Sequence, residues 1–287
     1  MGSDFITQEF LRNQPGLNIP ILKEMRKLSA PTDKVDLTLM SRAQVQDLLS
    51  LCHNLTSEQK LSYANQLAAA IKEWRQFTSP VAQNVDGTLV GDHIIGHCTR
   101  CHPTCKEIGR TKDEWFNNLE KDVRKGVSVR YEMEDSELID EKFQELKRNF
   151  LECEPYVLTH GDLNFTNIFV KDNKLEAIID WEFSGYQPWW AERFLSQMTP
   201  YVASDELFLP LWKDIMPEWD HDTFAEKVVV SVNLVKEAWE ISMWRAEHPQ
   251  RQTSWSGRGF CDCKPYINNF KWKEINDKIE HVVKDAV

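Results

Sequence analysis

The chain has 287 residues, 41% hydrophobic and 28% charged, with a formal net charge of −11. That is the composition of a folded globular protein of one large domain or two small ones, and it argues against disorder and against a nucleic-acid binder, whose footprint is basic. No stretch reaches the roughly 18 apolar residues of a membrane span, residues 1–10 lack the basic-then-apolar pattern of a secretory leader, and seven cysteines fit reduced thiols better than a disulfide framework, so the expectation is a cytoplasmic protein with neither nucleic-acid nor membrane partners.

Residues 5–12 have the pattern of a short helix stopped by Pro15-Gly16. Residues 19–25 and 35–40 read as two short strands, the second with β-permissive alternation. Thr56, with Gln59 three residues on, carries a capping-box signature. It opens a long helix in which Leu61, Ala64, Leu67, Ala68, Ile71 and Trp74 share one face, expected to be buried, and which Ser79-Pro80 should end. Residues 80–112 are loop-rich, with Gly87, Gly91, Gly96 and Gly109. Residues 112–124 and 136–150 read as helices, and the acidic run 132–141 as a solvated connection into the second.

Three short strands follow at 156–160, 167–170 and 175–179, the last two joined by an Asp172-Asn173-Lys174 turn. Helices are expected at 190–198, 204–212 and 223–244, then an irregular tail over 245–271 and a short charged helix.

The chemistry concentrates between those strands. His160-Gly161-Asp162-Leu163-Asn164-Phe165-Thr166-Asn167 fills the first connection, and Ile178-Ile179-Asp180-Trp181-Glu182 ends the hairpin. Phosphoryl transfer asks a protein for little covalent chemistry; it asks for metal ions on phosphate oxygens and a positioned acceptor hydroxyl. A carboxylate in the first loop can accept the hydroxyl proton, an amide five residues later can offer its oxygen to Mg²⁺, and a second carboxylate brought round by the hairpin supplies the main ligand.

These two motifs, in this order, resemble the catalytic and metal loops of the aminoglycoside phosphotransferase and choline kinase-like families, which share the protein-kinase fold. The aromatic-rich run Phe183-Ser184-Gly185-Tyr186-Gln187-Pro188-Trp189-Trp190-Ala191-Glu192 and the tail segment Phe260-Cys261-Asp262-Cys263-Lys264-Pro265-Tyr266 look like the fungal branch. Met40-Ser41-Arg42 resembles the hinge between lobes. The resemblance implies an α+β, protein-kinase-like fold, with a small-lobe remnant at 1–42 and a mostly helical large lobe at 43–287. It implies ATP and Mg²⁺ as cofactors and a small-molecule hydroxyl as acceptor. Asp162 would then be the base, His160 a brace for its loop, and Asn167 and Asp180 the metal ligands. Met40, Arg42 and Asn164 would border the nucleotide, with Glu182 at the rim of the metal site.

The front of the chain departs from that family. No Gly-x-Gly-x-x-Gly and no Gly-Lys-Ser/Thr occurs, and Ala43-Gln44 stands where a small turn residue is common. The first strands of the small lobe are expected to be missing. Asp4 or Glu9 would lie where the lobe's helix carries its carboxylate, without a Lys partner. Lys23 and Lys27 read as solvated. An active kinase, a catalytically silent binding protein and a truncated gene product are therefore all open.

Two further clusters have two readings each. Cys98, Cys101 and Cys105, with Cys261 and Cys263, have zinc-like spacing, against plain thiols. Trp181, Trp189, Trp190, Trp212 and Trp219 would form a cage for an amine-bearing substrate or simply pack the core. Glu237, Trp239 and Glu240 would line an acceptor pocket or a helix face.

Overall fold

The protein is seen in a computed structural model that describes residues 4–30, 32, 37–42, 46–96, 106–197 and 203–247, with side chains set aside at 203, 204 and 244–247. The cysteine cluster at 97–105, Ala43-Gln44 and the tail beyond residue 247 lie outside the described residues.

The architecture is α+β, dominated by helices. Helix α1 (Asp4–Arg12) buries Thr7, Gln8 and Leu11, and Gly16, at φ +79°, turns the chain out of it. Strands β1 (Met25–Lys27) and β2 (Thr38–Met40) pair antiparallel, Met25 opposite Met40. The first strand therefore begins where the sequence reading ended it. Residues 19–24 are irregular because their backbone is spent elsewhere: the Pro20 carbonyl accepts from Ile178 N–H, and Leu22 N–H donates to the Gln8 side chain. On the hairpin, Leu28, Leu37, Leu39 and Met40 are exposed.

Strand β3 (Gln46–Asp47) leads into α2 (Leu48–Leu51), capped by the Asp47 carboxylate on Ser50 N–H. Helix α3 (Ser57–Arg75) starts with the expected capping box, Thr56 and Gln59 each accepting from the other's backbone N–H. Its buried face carries Ala64, Leu67, Ala68, Ile71 and Trp74, but Leu61 is exposed at 48%. The helix ends at Arg75, short of Ser79-Pro80, because β4 (Thr78–Ser79) is drawn into a strand pairing with β5 (Tyr156–Thr159).

Helix α4 (Lys112–Arg130) runs two turns past its expected end at residue 124. It lies against α9 (Val230–Glu247) so closely at Gly126 that a Cβ there would stand 1.6 Å from the Ala238 carbonyl oxygen. Helix α5 (Ser136–Asn149) follows, capped by Asp135.

Strand β5 (Tyr156–Thr159) is fully buried and pairs with β4 on one side and β8 (Gly185–Pro188) on the other. Strands β6 (Ile168–Lys171) and β7 (Lys174–Ile178) form the predicted hairpin, with Asp172 and Asn173 at φ +49° and +60° in its two-residue turn. Strand β3 adds to its outer edge.

Helices α6 (Ala191–Gln197), α7 (Ala203–Ile215), α8 (His221–Phe224) and α9 (Val230–Glu247) complete the described chain, the last two joined through a π-helical segment at Ala225–Val229. No described helix is long and apolar enough to cross a membrane.

The aromatic cluster resolves into core. Trp181, Trp190 and Trp212 are fully buried, and Trp190 packs on Trp115, Phe150 and Phe194. Trp189 and Trp219 lie against each other at 4.9 Å between ring centroids. The acceptor-pocket trio is likewise dispersed: Trp239 is buried in the core and Glu237 pairs with Arg130.

Candidate active site

Two loops meet where β5 and β7 end. The first runs from His160 to Asn167, between β5 and β6. The second starts at Asp180, after β7, and enters the 3₁₀ turn Trp181–Phe183. They are joined backbone to backbone, Ile179 N–H donating to the Asn167 carbonyl at 3.0 Å. Gly161 makes the contact possible. It sits at φ +85°, and a Cβ there would lie 2.2 Å from the Phe183 carbonyl oxygen, so neither the backbone nor the neighbouring loop admits another residue.

His160 is fully buried and braces both loops. Its Nε2–H donates to the Ile179 carbonyl at 2.9 Å and its Nδ1 accepts from Asp162 N–H at 3.2 Å, an arrangement only the neutral ring can make. Burial pushes its pKa down to about 4, which keeps it neutral. The ring rests on Trp181 at 4.5 Å, and Trp181 in turn meets Trp74 edge-on at 5.1 Å, so the loops stand on a column of aromatic core.

Asp162 is held from both sides. Asn164 Nδ2 donates to Oδ1 at 3.0 Å and Asn167 Nδ2 donates to Oδ2, also at 3.0 Å. Burial raises its pKa, the two amides opposing the shift. The Asn164 amide is engaged at both ends within the loop, since its oxygen accepts from Thr166 N–H and O–H. In the structure its nitrogen clamps Asp162. Asn167 spends its nitrogen on Asp162 and leaves its oxygen with a single 3.3 Å contact from the Thr166 hydroxyl.

Asp180 differs. Its backbone is left-handed, φ +66° and ψ +56°, and its side chain makes no cap for the turn it begins. Its pKa is pushed up to about 6, first by burial and then by the negative charges of Glu182, Asp162 and Asp4. The Asp180 carboxylate thus sits among other acidic oxygen donors. Among the described residues no three His, Cys, Asp or Glu side chains form a metal cage by themselves. Mg²⁺ usually takes one or two carboxylates and completes its shell with water and substrate phosphates. The hard-oxygen set of Asp180, the Asn167 amide oxygen and nearby acids suits it.

The nucleotide-side candidates lie apart from this centre in the chain. Met40 is on β2, 46% exposed, and Arg42 is exposed just beyond it.

Three supporting groups were hidden or only half visible in the sequence. Glu192, at the start of α6, is completely buried and accepts from both His160 N–H and Gly161 N–H. Its pKa is pushed up to about 7 by burial, against the pull of those two amides and of Arg75. Arg75, at the end of α3, is mostly buried and donates to the Trp189 carbonyl. Asp4, from α1, accepts from Trp181 N–H at 2.9 Å. Glu9 instead pairs with Arg12 on its own helix.

The model of a family described as the phosphotransferase enzyme family matches residues 25–197. No curated protein matches the chain. Among solved structures it is similar to the gentamicin complex of APH(2")-IIa, with 15% identity over 86% of this chain and 75% of that one and a TM-score of 0.49. ADP-bound aminoglycoside phosphotransferase APH(2")-Ib gives 14% identity over the same shares and a TM-score of 0.49. A thermostable mutant of aminoglycoside phosphotransferase APH(4)-Ia in ternary complex with ADP and hygromycin B gives 15% identity over 90% and 84%, with a TM-score of 0.45.

Proposed function

The chain belongs to the phosphotransferase enzyme family, and from that premise we propose that it moves a phosphoryl group from ATP to a hydroxyl of a small molecule. The observation that carries the reading is the pair of carboxylates on adjoining loops, one clamped by amides and one unclamped among other acids. Asp162 is oriented by Asn164 and Asn167 and takes the acceptor's proton; its raised pKa moves it toward the range useful to a base. Asp180 and the Asn167 oxygen hold Mg²⁺, whose charge, when bound, neutralises phosphate oxygens. His160 stays neutral and keeps the Asp162 backbone in place. Met40 and Arg42 border the nucleotide, consistent with the exposure of Met40 on β2 and of Arg42 just beyond it, the small lobe ending at residue 42 and the large lobe beginning at 43. The acids gathered at the site and the net charge of −11 favour an amine-bearing acceptor.

A thermal-shift titration with ATP and Mg²⁺ tests this. A ligand at about 100 times its dissociation constant stabilises by roughly 2.7 kcal/mol, so the wild type should melt measurably higher and the shift should vanish without Mg²⁺ or in Asp180→Ala. Amino alcohols and amino sugars would then be screened for ADP release. No metal-dependent shift at millimolar nucleotide would replace the enzyme with a nucleotide-silent binding protein.

A further inference from the structure

Strands β1 and β2 form a two-stranded sheet with no third strand among the described residues. Such a ribbon is marginally stable alone, and a bare strand edge is a template for another chain. The ladder fixes which groups face outward. Leu28 N–H donates to the Leu37 carbonyl and Ser41 N–H to the Glu24 carbonyl. Leu37, Leu39 and Ser41 therefore turn their backbone groups toward β1, and Thr38 and Met40 turn theirs away from it. The two strands also differ in charge. β1 carries Arg26 and Lys27, the usual guard of a strand edge, whereas β2 presents Thr38, Leu39 and Met40 with no charge.

The two faces of the ribbon differ as well. The register puts Arg26, Leu28, Leu37 and Leu39 on one face, and Met25, Lys27, Thr38 and Met40 on the other. All three leucines are more than half exposed. Arg42, also exposed, lies two residues beyond Met40 and so in phase with the second face. Residues 23–28 and 37–42 hold four cations, Lys23, Arg26, Lys27 and Arg42, against the single acid Glu24, in a chain of net charge −11.

We propose that the outer edge of β2 docks an extended segment of a partner protein in which apolar and acidic side chains alternate. The segment pairs its backbone with Thr38 and Met40. Its period of two then sets apolar groups beside the leucines and carboxylates toward Lys27 and Arg42. Charge selects this occupant. A second copy joined β2 to β2 would place two cationic ribbons in one sheet, and an anionic bilayer would be repelled by the acidic body. The chain's own residues 248–287 carry seven Lys and Arg against five Asp and Glu, the wrong balance for a cationic ribbon. The proposal stands apart from the phosphotransferase reading and needs neither nucleotide nor acceptor.

The test is fluorescence anisotropy of a labelled short peptide of alternating valine and glutamate, titrated with the full chain. The peptide should bind, more weakly as salt rises, and a valine–lysine peptide should bind at least about tenfold more weakly. Thr38→Pro removes an outward N–H without touching the ladder to β1 and should weaken the valine–glutamate peptide about tenfold. Lys27→Glu should weaken it roughly two- to fivefold, the worth of an exposed ion pair. Leu37→Ser, at an exposed position, should also weaken it, and these two variants decide the matter if Thr38→Pro melts below the wild type. Equal affinity for the two peptides, no binding of either, or unchanged binding in Thr38→Pro with an unchanged melting curve would overturn the proposal. A wild type that is dimeric by light scattering, ignores the peptide and becomes monomeric in Thr38→Pro would overturn it in favour of a second copy.

Discussion

The two loops of the site solve opposite problems. The loop from His160 to Asn167 holds its own carboxylate: two of its asparagines grip Asp162, and His160 accepts the Asp162 N–H. The loop from Asp180 to Ser184 borrows its order. Its amide is capped by Asp4, its serine is pinned by Thr7, and its buried tryptophan stands on His160 and Trp74. In the proposed mechanism a proton acceptor needs one fixed direction, which the clamp on Asp162 supplies, and a metal ligand needs an unspent carboxylate, which Asp180 offers by making no cap bond.

The sharpest way to break the comparison is to neutralise each carboxylate in turn. Asp162→Asn should lower kcat by roughly 100- to 10,000-fold, the usual worth of a general base, while leaving Mg²⁺-dependent nucleotide binding intact by thermal shift. Asp180→Asn should remove that binding. If both variants lost nucleotide equally, the two loops would not divide base from metal as described. Next in size is the contact between them. Gly161→Ala should cost about 3 kcal/mol in urea unfolding, from its positive φ and its collision with the Phe183 carbonyl.

The asparagines separate clamp from ligand. Asn167→Ala should lower activity roughly 10- to 100-fold and weaken Mg²⁺, as losses around a metal site do. Asn164→Ala should lower kcat about tenfold, one charge-assisted hydrogen bond, with Mg²⁺ affinity unchanged.

The smallest effect is a pH dependence. His160 is depressed to about 4, so its contribution to stability is complete above its ordinary value of 6.5 and is lost as pH falls toward 4. Glu192 is raised to about 7, so its contribution is complete below its ordinary 4.5 and is lost as pH rises toward 7. Between pH 4.5 and 6.5 the two slopes oppose. His160→Gln should remove the acid-side loss, leaving stability that falls with rising pH by less than about 1.4 kcal/mol per pH unit, the ceiling for one proton. Urea titrations at half-unit pH steps would show it.

Local signals were read well where local bonds decide the structure. The capping box at Thr56, the turn at Asp172-Asn173 and the short first helix all formed as their residues require, because each is satisfied within a few residues of itself. Where a distant partner competes, the reading slipped. Residues 78–79 left the long helix for a strand beside β5, and residues 19–24 gave their backbone to Ile178 and Gln8. The tryptophans offered as a cage went mainly into the core, since nothing in helical spacing says which side of a helix will be covered.

By itself, then, the sequence determined the chemistry on offer: Asp162, Asn167 and Asp180 in two ordered motifs, of a residue type and spacing suited to phosphoryl transfer, and an α+β chain rich in helix. Only the tertiary structure decided how those groups are held. Glu192, one buried acid, accepts two amides of the catalytic loop across 31 and 32 residues, and Asp4 caps Trp181 across 177. No local pattern encodes such bonds, because a carboxylate on a helix has the same sequence neighbours whether it faces water or a backbone N–H that folding brings to it.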